Sequence, residues 1–256
     1  MHFKFPRLFL ALIAVVAWAA ITLTAATLQT TSDTSLQDLV THHVNWGVAA
    51  AALLLLVVAR LAGWRDLGFR RPMPASSLRL LWLPALYLVL LGGLGLTTGR
   101  LDRASAMVVL INTLMVGFSE ELAFRGVLWG AARKVLTFWP GFLLVSLAFG
   151  SVHIFNAIIT GELGAAGVQA LTAFMSGVAY LAIRIRTRSI IPIMLIHGIW
   201  DFCVFAAGSG ADTVIDQPGL VKAQLIAGVM LVAPLFLYGL WLVRNERVRG
   251  RWHNDS

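Results

Sequence analysis

Eight stretches, near residues 8–28, 46–63, 80–98, 105–130, 138–158, 167–183, 190–208 and 222–243, are each apolar over roughly the 20 residues that a helix needs to cross a bilayer. In hydrocarbon the backbone polar groups must pair within their own segment. The fold class expected is therefore all-α, a polytopic membrane helix bundle of about eight transmembrane helices. Only 12% of the chain is charged, against about a quarter in soluble domains. The segments between the runs are too short for a soluble domain, so residues 1–256 read as one integral membrane domain.

The charged residues are not spread evenly. With eight spans, sixteen Lys and Arg fall on one side: Lys4, Arg7, the Arg60–Arg79 group, Arg133, Lys134, the Arg184–Arg188 group and the C-terminal arginines. Arg100, Arg103 and Lys222 are the three on the other, with Asp33, Asp38, Glu162, Asp212 and Asp216. Loops rich in Lys and Arg stay in the cytoplasm, so both termini are expected there. The same bias explains the formal charge of +8 without nucleic acid, for which no motif is present. Lys4 and Arg7 precede an apolar run with Ala17-Trp18-Ala19 inside it, as in a signal peptide. The run continues to about Leu28, which favours a retained first helix. Cys203, the one cysteine, reads as a packing residue. The loop from Gly63 to Leu80 suits the cytoplasmic interface, and Trp18, Trp46, Trp64 and Trp241 suit interface anchors. Gly126-x-x-x-Gly130 suits a close helix contact.

Against that background the run GFSEELAFRG, residues 117–126, carries three charges in an apolar span. Away from their ends the spans hold few ionisable groups: Glu120, Glu121 and Arg125 in the fourth, His153 in the fifth, and His197 and Asp201 in the seventh. Intramembrane ionisable groups are costly and point to function. Glu121 and Arg125 are four apart and can pair on one helix face, either to support a site or simply to join helices. Glu120 faces elsewhere and has no such partner. His197 and Asp201 are also four apart. At 1.5 Å per residue, Glu120, His153 and Asp201 lie roughly 20 Å from the basic ends of their helices and His197 roughly 14 Å. The four can meet at mid-membrane depth.

Two imidazoles, a carboxylate and a further glutamate suit hydrolysis of an acyl bond, most plausibly a peptide. In one reading His153, His197 and Asp201 hold Zn2+ and Glu120 deprotonates its water. In the other Glu120 activates water directly and the histidines hold it and stabilise the oxyanion.

The ordered set Glu120-Glu121-x-x-x-Arg125, Phe149-x-x-x-His153 and His197-x-x-x-Asp201 resembles the CPBP intramembrane protease family, which includes the type II CaaX prenyl endopeptidases and the bacterial Abi-like proteins. The resemblance runs from Glu120 to Asp201 and makes residues 105–208 the catalytic core. It implies an eight-helix endopeptidase in a membrane, for the bacterial members the plasma membrane, with a site open to the cytoplasmic side. Glu120 would be the general base, His153 and His197 would orient water or metal, and Glu121 and Arg125 would support them. The family often has Asn where this chain has Asp201, and the added negative charge favours a cation slightly. The substrate implied is a membrane-associated, in some members lipidated, protein or a small peptide. Phe149 itself reads as packing. A non-catalytic scaffold or bacteriocin-immunity protein is the alternative, and an ion-coupled transporter ranks third.

Overall fold

The computed structural model describes residues 6–30, 35–209 and 219–254. Lys4, Asp33, Asp212 and Asp216 lie outside them. Of the described residues 84% are helical, and none is in a strand. In order come α1 (Pro6–Thr27), α2 (Leu36–His42), α3 (Trp46–Leu61), a 3-10 segment (Ala75–Leu81) leading into α4 (Trp82–Thr98), and α5 (Arg103–Glu121). A π-helical turn (Leu122–Leu128) joins α5 to α6 (Trp129–Val135). Then follow α7 (Phe138–Val152), a 3-10 turn (His153–Phe155), α8 (Asn156–Thr160), α9 (Leu163–Thr187), α10 (Ile191–Gly208), α11 (Leu220–Leu242) and the short α12 (Glu246–Arg249). Among the described residues seven helices are long and apolar enough to cross a membrane. An eighth is counted if α2 and α3, bent at 87°, make one span.

Two of the expected spans therefore differ in detail. The second is a 16-residue helix, roughly 24 Å long, extended by α2 only through a sharp corner. Asn112 of α5 pins that corner: its side chain accepts from the Asn45 amide (2.8 Å) and donates to the Val40 and His43 carbonyls (2.9 and 2.8 Å). The fifth span is not one straight helix, because it tightens into the 3-10 turn at His153.

α9 packs between α7 and α11, α10 between α4 and α5, and α1 against α3. Without a hydrophobic force between helices in lipid, close approach depends on small residues. A Cβ on Gly117 would lie 2.5 Å from the Gly198 amide nitrogen and 2.7 Å from the Met194 carbonyl. On Gly198 it would lie 2.9 Å from the Leu114 Cα. These two glycines set the α5–α10 crossing. They stand three residues before Glu120 and one after His197. The pair at Gly126 and Gly130 has other neighbours: a Cβ on Gly126 would meet the Ile190 side chain (3.4 Å) and the Leu67 carbonyl (3.6 Å), and one on Gly130 the Arg7 guanidinium (3.0 Å).

The arginine-rich end is closed by side chains. Asp66 accepts from Arg7 (2.5 and 3.2 Å) and from the buried Arg133 (2.5 Å). Burial alone would raise the Asp66 carboxyl, but the Arg7 and Arg133 guanidiniums outweigh it and hold it below its ordinary value. Trp252 is buried edge-on against Trp129 and donates to the Leu136 carbonyl (3.1 Å). The 63–80 segment is tied to the turn between α9 and α10. Gly68 accepts from the Ile190 amide (2.9 Å), the Met73 amide donates to Thr187 (2.9 Å), and Ser189 donates to Arg70 (2.5 Å). Trp18 is likewise no interface anchor. It is 3% exposed, donates to the Ser119 hydroxyl (2.7 Å) and meets Phe124 edge-on.

Candidate active site

Glu120 and Glu121 are the last two residues of α5, and their side chains take different surroundings. Glu121 is fully buried and accepts at Oε1 from Arg125 (3.0 Å) and from His197 Nδ1 (2.9 Å). Arg125, also fully buried, donates its other terminal nitrogen to the Gly177 carbonyl (3.1 Å). Its guanidinium lies 3.9 Å from the centre of the Phe149 ring, a cation–π contact in a desolvated place. A Cβ on Gly177 would lie 2.7 Å from that ring and 2.9 Å from the guanidinium, so the position has room for glycine only.

Phe149 is more than packing. Its carbonyl receives His153 Nδ1 at 2.9 Å, and its ring meets the His153 and His197 rings at 73° and 80°. The 3-10 turn begins at His153, four residues after that carbonyl. Arg125 thus reaches both imidazoles, one through the Glu121 carboxylate and one through the Phe149 ring. Sequence spacing marked Phe149 only as the first letter of a motif.

A carbonyl or a carboxylate can only accept, so both histidines carry their proton on Nδ1 and turn Nε2 the other way. Both Nε2 atoms face Glu120 Oε2, at 3.9 Å from His153 and 3.7 Å from His197. Asp201 Oδ2 lies 3.5 Å from His197 Nε2. Glu120 Oε2 is buried and has no hydrogen-bond partner. These separations are too long for direct hydrogen bonds and leave the Glu120 oxygen facing both rings. The structure brings all six sequence-predicted residues together: Glu120, His153, His197 and Asp201 around one point, Glu121 and Arg125 behind them.

The four face a cavity of about 410 Å³. Tyr180 and Trp200 stand beside His197 in its wall, and neither was marked in the sequence. Both sit on the cavity side of spans that carry motif residues or pack on them, the one signal that would have found them. The trio expected as zinc ligands is chemically apt, with two Nε2 lone pairs and a carboxylate. It is not drawn into a coordination sphere, since among the described residues no group of three or more His, Cys, Asp or Glu is placed to hold a metal ion.

A polytopic helical bundle with a carboxylate–imidazole site buried at mid-span, opening on a cavity, has the makings of an intramembrane hydrolase. Residues 102–203, which contain all six motif residues, match the family model described as Rce1-like, type II CAAX prenyl endopeptidase. That segment, about two fifths of the chain, is similar to this family. No match was found among curated proteins or among solved structures.

Proposed function

We propose that the chain is an endopeptidase that hydrolyses a peptide bond of a membrane-associated polypeptide, with Glu120 as general base. The observation that carries this reading is the partnerless Glu120 Oε2 facing two bare Nε2 atoms in the cavity. Water held among these groups gives a proton to Glu120 as its oxygen adds to the carbonyl carbon of the substrate. The bare Nε2 atoms of His153 and His197 orient that water by accepting its other hydrogen. Glu120 then passes the proton to the departing nitrogen, the C–N bond breaks, and a carboxylic acid and an amine result. Glu121 and Arg125 are positioning residues, which fix the tautomer and the ring plane of His197. Asp201 places its carboxylate 3.5 Å from Nε2 of the same ring.

The Nδ1–H bonds to a carboxylate and a carbonyl also support a second reading, because metal-bound imidazoles are oriented in this way. Zn2+ would then be held by His153, His197 and Asp201 and would supply a water of lowered pKa. Metal analysis of the purified protein, with activity measured before and after chelation, separates the two. Peptidomics of membranes carrying wild-type or Glu120→Gln protein tests the proposal itself. Peptides that vanish with Glu120→Gln are expected. An identical peptide set with intact protein would leave the scaffold or immunity reading.

A further inference from the structure

The cavity lies in one half of the bundle. Its wall takes the late part of α1 (Thr22, Ala26), α2 (Leu39), α5 two turns before Glu120 (Thr113) and the late part of α10 (Val204). Each of these lies on the far side of the motif residues from the arginine-rich end. In the other direction every residue from Glu121 to Arg133 is buried. Beyond them, Trp129, Trp252 and the Arg7–Asp66–Arg133 cluster fill the space. A second cavity at the arginine-rich end, about 510 Å³, has Trp129 and Trp252 in its wall and contains none of the motif residues. The site is thus open toward the arginine-poor end and closed toward the arginine-rich end.

The bias in Lys and Arg assigns the arginine-rich end to the cytoplasm. A site open to the cytoplasm, as the family resemblance implies, and cytoplasmic termini are therefore incompatible in this chain. From the cavity geometry and the charge bias together we infer that the active site is entered from the extracytoplasmic side. The inference rests on the peptidase reading for its substrate: a segment of a polypeptide that has already crossed the membrane or lies in its outer leaflet. The lining sharpens the chemistry. Among the described residues it contains Glu120, Asp201 and the two histidines but no Lys or Arg, so no permanent cation there would pair with a free C-terminal carboxylate. An uncharged or cationic internal segment fits better than a free acidic C-terminus.

Cys203 is the chain's one cysteine and does not line the cavity, so Cys203→Ser gives a thiol-free background. Single cysteines are then placed at Glu162 (arginine-poor loop), Thr22 (cavity wall) and Ser76 (arginine-rich end). Each protein is treated with a membrane-impermeant maleimide in right-side-out and in inside-out vesicles. Glu162→Cys and Thr22→Cys should label in right-side-out vesicles, and Ser76→Cys only in inside-out ones. Labelling of Ser76→Cys from the outer face, or a Thr22→Cys silent from that face, overturns the inference. The labelling needs no turnover. A membrane-anchored fluorogenic peptide cleaved by neither wild type nor Glu120→Gln would instead count against the peptidase reading, with the topology intact.

Discussion

The two adjacent glutamates should respond in opposite ways to the same isosteric change. Glu120 Oε2 is buried without a partner, and an unmatched buried polar atom costs about 1–3 kcal/mol. In Glu120→Gln the charge is gone and an amide N–H can point at an Nε2 atom, so the variant should be more stable by about 1–2 kcal/mol. For a chain of this size that is a rise in Tm of about 2–4 °C per kcal/mol. Glu121→Gln removes the counter-charge of a fully buried guanidinium, a loss of about 3–5 kcal/mol. Both should lack activity. Thermal unfolding in one detergent, followed by tryptophan fluorescence, reads the difference directly. Destabilisation of Glu120→Gln to the same extent as Glu121→Gln would refute the assignment, since Glu120 would then be part of the structural ion-pair network and not a strained functional group.

Gly117→Ala should cost about 1–3 kcal/mol from overpacking against the α10 backbone and lower activity up to roughly 100-fold by moving Glu120 from His197. Gly167→Ala, where a Cβ meets nothing within 4 Å, is the matched control and should lose neither, with activity and Tm measured side by side. Arg125→Lys keeps the charge but not the fork that serves Glu121 and Gly177 together, so kcat should fall roughly 10–100-fold with KM little changed. Asp66→Asn should destabilise by about 2 kcal/mol by leaving the buried Arg133 short of its carboxylate. Because the folded Asp66 carboxyl titrates below its ordinary value, its stabilisation is present above about pH 4 and is lost as the pH falls further. Acid unfolding of wild type should therefore steepen below about pH 4, and the Asp66→Asn curve should lack that step.

How much of this was legible in the sequence depended on what kind of rule applied. Lengths of apolar runs and i,i+4 spacings are fixed by helix geometry, and they located the spans and the Glu121–Arg125 pair. Depth arithmetic put Glu120, His153, His197 and Asp201 at one level even though two of the helices are irregular. The 3-10 turn begins only at His153, the residue being placed, and the single π turn between Arg133 and Glu120 is too short to spoil the count. The corner between α2 and α3 was invisible for the opposite reason: it depends on one long-range residue, Asn112, serving three backbone groups sixty-seven to seventy-two positions away. Trp18 was misread because its neighbours in sequence are apolar while its partner, Ser119, is on another helix.

The roles of Phe149, Gly117, Gly177 and Gly198 follow from the same limit, and they change what the motif means. The glutamates and histidines are chemically sufficient for hydrolysis, yet nothing in their own spacing holds two imidazoles at matching distances from one oxygen. That matching comes from Arg125. One salt bridge from it aims His197, and one ring contact seats the helix turn whose carbonyl aims His153. A guanidinium can do both only if α9 comes close enough for Gly177 to accept from it, and only if α5 and α10 touch at glycine. The third charge in GFSEELAFRG is therefore the one on which the geometry of the other groups depends. Loss of Arg125 should disturb both histidines at once, whereas loss of Glu121 should disturb His197 first.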